Sequence, residues 1–291
     1  MTGAADLRHR AEALAAPLPA LMAEAEHLAS SVLLGEHGRR RAGLGDEFWQ
    51  YRPPTGSDEA RAIDWRRSAR SDAHFVREKE WQAAQSVQLW VDDAAAMRFT
   101  GDKNRPSKGA RARLLALALS VLLIRGGERV GLYGEALRPA RGEVQLMRLA
   151  EVLSGPDGAA DYGAPDARGM LHHSRAAFLS DFLGDPAPVE TQLLKAADRG
   201  VKGALLMVLD PQEEAFPFGG RTVFESMTGA LRHETLSATD LRGRYLGRLA
   251  ERKARLEELA RLTGWQASVH HTDAAPLPAL LWLYRALERR R

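Results

Sequence analysis

The chain has 291 residues, 45% of them hydrophobic and 27% charged, with 41 basic against 38 acidic side chains and a net charge of +3. That is the make-up of a soluble globular chain with room for one large domain or two small ones, and so small a basic excess does not by itself point to nucleic acid. The absence of cysteine excludes disulfides, zinc–thiolate sites, iron–sulfur clusters and cysteine nucleophiles together.

Met1-Thr2-Gly3 lacks the basic start and apolar core of a secretory signal, and the longest apolar run, Leu114 to Ile124, falls well short of the about 20 residues that cross a bilayer. The expectation is a cytoplasmic protein with no membrane segment. Asp6 to Leu33 reads as helical, in two pieces divided at Pro17 and Pro19. Leu18, Leu21, Met22, Ala25, Leu28, Ala29 and Val32 fall on one face, so this helix is expected to pack on the main body. Residues 35–72 are irregular and rich in Gly, Arg and Pro, a length that points to a functional loop or a small subdomain. Arg39-Arg40-Arg41 between glycines is either a solvated charge run or an anion cradle. Gly56 to Arg70 reads GSDEARAIDWRRSAR, and Phe75 to Glu80 reads as a strand.

From Ser86 onward strands and helices alternate. Val87–Val91 is a strand; Ser107 caps a helix that runs through Arg125 to Gly126-Gly127 and is apolar on most sides, so it should be buried. Arg129–Tyr133 is a strand that pairs with 136–139, 142–153 a helix, and Gly155 to Gly169 a glycine-rich loop. Then follow a strand at 176–180, a helix at 186–199 and a strand at 204–209. Ser237-Ala238-Thr239-Asp240 looks like a capping box opening a helix that ends at Gly264, and a strand at 265–270 and a helix at 276–288 close the chain. This alternation implies a mostly parallel sheet with helices on both faces.

Three of the strands end in aspartate: Val91 is followed by Asp92, Ser180 by Asp181 and Leu209 by Asp210. Open parallel sheets bind ligands at the carboxyl ends of their strands, and carboxylates gathered there suit a hard cation such as Mg²⁺.

The series Gly35-Glu36-His37, Gly43 and Gly45 with Glu47-Phe48, Tyr51-Arg52, Gly56 with Asp58, Arg61 to Trp65, Ser68-Ala69-Arg70 and Val76-Arg77-Glu78 resembles the bacterial domain-of-unknown-function family numbered 58. The departure is Ser57, where the family has Asp. Later marks are Asp210-Pro211, Glu214, Phe216-Pro217-Phe218, Glu225, Arg244-Tyr245, Gly264-Trp265 and Thr272-Asp273. The resemblance implies a von Willebrand factor A-like, Rossmann-like α/β fold. There the first strand normally ends D-x-S-x-S, and with a later Asp and a loop Thr it holds a divalent metal. This chain reads Asp92-Asp93-Ala94-Ala95-Ala96, Asp181 matches the later Asp, and residues 155–169 offer no Thr. The implied site is a degenerate remnant formed by Asp92, Asp93, Ala94, Ala96 and Asp181, with no metal and no cofactor. The signature residues Gly56, Asp58, Arg61, Asp64, Trp65, Ser68, Ala69 and Arg70 read as a structural brace, Trp65 an apolar anchor and Asp64 locked by Arg61 or Arg70.

The chain contains no G-x-x-x-x-G-K-S/T loop, no G-x-S-x-G elbow and no H-x-x-x-H or H-E-x-x-H spacing. His172-His173 and His270-His271 are adjacent pairs whose members face opposite ways on a strand. The expected organisation is an N-terminal helical segment over 1–34, a signature segment over 35–85 with irregular and β structure, and a von Willebrand A-like domain over 86–291. The expected function is a non-enzymatic interaction or adaptor module, since members of the family resemble partners of MoxR-type AAA+ ATPases. Two alternatives stand beside it. One is a divalent-metal-dependent enzyme using Asp92, Asp93 and Asp181; the other is a nucleic-acid binder using Arg39 to Arg41 and the Arg-rich C-terminus.

Overall fold

The apolar runs that alternate from Ser86 onward build a six-stranded sheet. The computed structural model describes residues 17–36, 48–52, 76–79, 85–133, 137–165 and 170–288. They belong to two compact units, 1–35 with 85–291 and 36–84.

In the smaller unit β1 (Phe48–Arg52) and β2 (Val76–Lys79) form an antiparallel pair with Tyr51 opposite Arg77 and a register shift between Phe48 and Gln50. The strand expected at 75–80 is β2; β1 falls in the stretch expected to be irregular. Arg39 to Arg41 and the signature residues Gly56, Asp58, Arg61, Asp64, Trp65, Ser68, Ala69 and Arg70 lie outside the described residues.

In the larger unit α1 (Pro17–Glu36) is followed by β3 (Ser86–Val91), a 3₁₀ turn at Ala95–Arg98, α2 (Lys108–Arg125), β4 (Arg129–Leu132), β5 (Leu137–Ala140) and α3 (Glu143–Leu153). Next come β6 (Arg175–Ser180), α4 (Pro186–Asp198), β7 (Lys202–Leu209) and the short α5 (Pro211–Ala215). A hairpin of β8 (Thr222–Glu225) and β9 (Arg232–Thr235), then α6 (Ala238–Thr263), β10 (Gln266–His271) and α7 (Pro276–Leu287) complete it. The sheet order is β10-β7-β6-β3-β4-β5, parallel except for β5, which runs antiparallel to β4 at one edge. Counted along the sheet's own six strands this is 3-2-1-4-5-6, the doubly wound order. The chain leaves β3 toward β4 and returns on its other side as β6, which places the switch point between β3 and β6.

Period-two alternation divides the strands between two cores. Leu89, Ala177, Leu179, Leu206 and Val208 face α1, α2, α3 and α7. Ala176, Phe178, Leu205 and Met207 face α4 and α6. Along α2, Leu115, Leu117 and Leu119 are all fully buried, because this helix packs against sheet, α3 and α7 at once; truncating any of them to Ala costs about 2–5 kcal/mol. On the other face Phe178 takes edge contacts from Trp90, Tyr133 and Trp265 at 5.0–5.6 Å between ring centroids, so these tryptophans serve packing. No helix among the described residues is long and apolar enough to cross a membrane.

The cap expected at Ser107 forms, its Oγ accepting from the Ala110 N–H at 3.2 Å. The cap expected at Ser237 does not: its side chain makes no such bond, while the Ala238 N–H at the first helical position donates to the Gly220 carbonyl. The capping box lies at Asp210, whose Oδ1 accepts from Gln212 N–H while Glu213 Oε2 accepts from Asp210 N–H, each at 2.9 Å.

Candidate functional site

The switch point puts the ends of β3 and β6 side by side, with β7 next in line, so Asp92, Asp181 and Asp210 gather at one carboxyl edge. All three are buried, at 3%, 1% and 0% exposure. A buried carboxylate needs internal partners, and each aspartate here has its own set.

Asp92 accepts from the Ala94 N–H through Oδ1 at 2.9 Å and from the Ser180 hydroxyl through Oδ2 at 2.6 Å. Burial pushes its carboxyl above the usual range; the Ser180 and Ala94 bonds oppose that shift, and the charges of Asp181 and Asp93 add to it. Asp181 accepts from the Leu183 N–H through Oδ1 at 3.0 Å and from the Lys108 ammonium through Oδ2 at 2.7 Å. Lys108 Nζ also donates to Glu213 Oε1 at 2.6 Å and lies 5.6 Å from the Phe99 ring centroid. Burial alone would lower the Lys108 pKa, but the carboxylates of Asp181 and Glu213 outweigh it and hold the ammonium above its ordinary value. Asp210 takes the Thr272 hydroxyl on Oδ2 at 3.1 Å and the Arg105 guanidinium 3.5 Å from Oδ1.

Asp93 differs from its neighbours: it is exposed, and its carbonyl accepts the Gly158 N–H at 2.8 Å. That bond begins a seam. Residues 155–165 lie across the turn after β3, where Ala95 N–H donates to Ala160 O at 2.8 Å and Ala96 N–H to Asp161 O at 2.9 Å. Gly163 then passes so close to Asp92 that a Cβ there would fall 2.2 Å from Oδ1. The tip of the β8–β9 hairpin joins the same seam: the Thr228 N–H donates to Asp161 Oδ1 at 3.1 Å and Arg98 donates to the Met227 carbonyl at 3.2 Å. The hairpin is rooted by Phe224, which packs with Phe216 and Phe218.

The structure thus brings Asp92 and Asp181 to one edge, as the sequence predicts. Ala94 is buried and Ala96 half-buried; their amides serve the turn and the seam, and neither side chain offers an oxygen. Among the described residues no group of three or more His, Asp and Glu is arranged to hold a metal ion. Sequence reasoning did not assign Lys108, Glu213, Ser180, Arg105 or Thr272 to the site, though Thr272 was among the family marks. A signal existed for two of them. Lys108 is a rare lysine, one of six, opening an apolar helix, and Glu213 sits three residues after the Asp of a strand-ending Asp-Pro.

Beyond the edge, Arg111 of α2 is buried and donates to Thr272 O at 3.1 Å and Ala274 O at 2.6 Å, with Nη1 also 3.1 Å from His270 Nε2. Burial first, then the charges of Arg111 and His271, hold the His270 pKa down at about 4. Arg111 therefore clasps the end of β10 beside Asp210.

Two of the solved structures that match part of this chain are as follows. One is an aerotolerance-related membrane protein from Bacteroides fragilis NCTC 9343 with multiple mutations to serines, at 11% identity and a TM-score of 0.39 over 70% of this chain and 98% of that one. The other is the conserved hypothetical protein BatB from Bacteroides thetaiotaomicron, at 10% identity and a TM-score of 0.35 over 69% of this chain and 95% of that one. No curated protein matches the chain. A family described as Protein of unknown function DUF58 matches residues 49–255, well over half the length, and the chain belongs to that family.

Proposed function

We propose that this protein is a von Willebrand A-like, non-enzymatic interaction module that works with a MoxR-type AAA+ ATPase in the cytoplasm. The observation that supports the non-enzymatic reading is that the carboxylates at the sheet edge are engaged by the chain's own groups. Asp92, Asp181 and Asp210 are each buried and satisfied internally, residues 155–165 lie across Asp92, and the hairpin tip is bonded to that segment through Asp161. A reaction centre needs groups free to meet substrate; Asp92 and Asp181 line a small cavity with Tyr162 and Phe182, but their oxygens are already engaged by Ser180, Ala94, Leu183 and Lys108. The sheet order 3-2-1-4-5-6 supports the von Willebrand A-like reading. The ATPase rests on the family resemblance, an associational warrant.

On this reading the partner meets the exposed groups beside Asp92: Asp93 and Arg98, the 155–165 segment and the 227–229 hairpin tip. The test is affinity purification of the tagged protein from its native host, with and without nucleotide. Recovery of a MoxR-type ATPase that is lost when Arg98 and Thr228 are both changed to Glu supports the proposal. Repeated absence of any such ATPase in either nucleotide state counts against it.

A further inference from the structure

We infer that the Lys108 ammonium is a tethered cation that takes up Asp181, the later aspartate of the metal site a von Willebrand A-like edge implies, so that the chain itself supplies the positive charge there and Asp181 is closed to a divalent ion. The residues do not fit a resident divalent ion. Ala94 and Ala96 supply no side-chain oxygen, and both oxygens of Asp92 are engaged by Ser180 and Ala94. What does converge is Asp181 Oδ2 and Glu213 Oε1, on one point 2.7 and 2.6 Å away, and that point is Lys108 Nζ. Two largely buried carboxylates repel unless a cation lies between them. The ammonium that joins them is 1% exposed and is fixed at the first residue of a helix capped by Ser107. An incoming ion would have to expel a buried charge that has nowhere else to go. The inference stands apart from the ATPase reading: it concerns what holds the edge together, whoever binds there. Its consequence is that the edge keeps one charge state whatever the divalent concentration. A second consequence is that removing the ammonium exposes a latent oxygen-ligand site for a hard divalent cation at Asp181 and Glu213.

The test uses the full chain, with melting temperature measured in EDTA and in millimolar Ca²⁺ or Mn²⁺. The wild-type protein is expected to melt alike in all three. Lys108→Ala, which leaves room for an ion and its waters, should melt lower in EDTA and gain about 5–10 °C at saturating cation. A wild-type gain equal to that of the variant overturns the inference, and so does a folded Lys108→Ala protein with no gain. If Lys108→Ala does not fold in either condition, Lys108→Met and Glu213→Gln decide, singly and combined. The inference requires the double variant to melt above Lys108→Met alone, because the unpaired carboxylate is then neutralised; simple addition of the two losses overturns it.

Discussion

His270→Gln should flatten the acid limb of the protein's stability curve by a calculable amount. Buried beside Arg111, His270 titrates at about 4 in the folded chain, against 6.5 for an unperturbed imidazole. Arg111 on α2 and His271 on the same strand disfavour its charge, and Asp273 only partly offsets them. Because the folded pKa is depressed, the unfolded chain takes up this proton first as pH falls. The stability is fully present above pH 6.5 and is lost between 6.5 and 4. At about 1.4 kcal/mol per pKa unit, the loss from this one site is about 1.4 kcal/mol by pH 5.5 and about 3 kcal/mol by pH 4. Glutamine cannot titrate, yet its side-chain oxygen can accept from the same Arg111 N–H. Urea unfolding at pH 7, 5.5 and 4, read by tryptophan fluorescence, gives the difference between wild type and variant, in which the other titrating groups cancel. Wild type should lose about 3 kcal/mol more than the variant from pH 7 to 4. Parallel curves would refute the buried neutral imidazole and the clasp built on it.

Asp92→Asn should show the opposite pH trend. Since burial raises the Asp92 pKa, its ionisation costs the folded state stability as pH rises from the unfolded value through the folded one; the variant's melting temperature relative to wild type should climb from pH 4 to 7, and a flat difference would argue against the shift. Gly163→Ala drives a methyl to within 2.2 Å of Asp92 Oδ1. It should cost about 1–3 kcal/mol and open residues 155–165 to limited proteolysis, whereas an unchanged digest would mean the seam is not held closed there.

The sheet was legible because its signals are local and periodic. β3, β6, β7 and β10 and their connecting helices stand within about two residues of the pattern reading, a usual uncertainty at element ends. The strand-end aspartates were visible for the same reason. The partners that define the edge were not: Lys108 lies 73 residues from Asp181 and 105 from Glu213, and no sequence period records a pairing at that range. The β8–β9 hairpin escaped notice because its strands are four residues each and largely exposed, with Phe224 the inward-packed residue. Ser237 carried the local signature of a cap, yet its hydroxyl makes no capping bond. The residues that mark the family most specifically, around Asp64 and Trp65, lie outside the described part of the chain.

The measurement that bears most directly on the proposed role is a calorimetric titration of the full-length protein with the MoxR-type ATPase of its own host, run with nucleotide, once in Mg²⁺ and once after the protein alone has been stripped with EDTA and returned to buffer. An interaction module whose edge carries its own cation predicts saturable binding of equal affinity in both runs, with no turnover by the module itself. No binding in either run, or binding that stripping abolishes and divalent metal restores to the module, would contradict it.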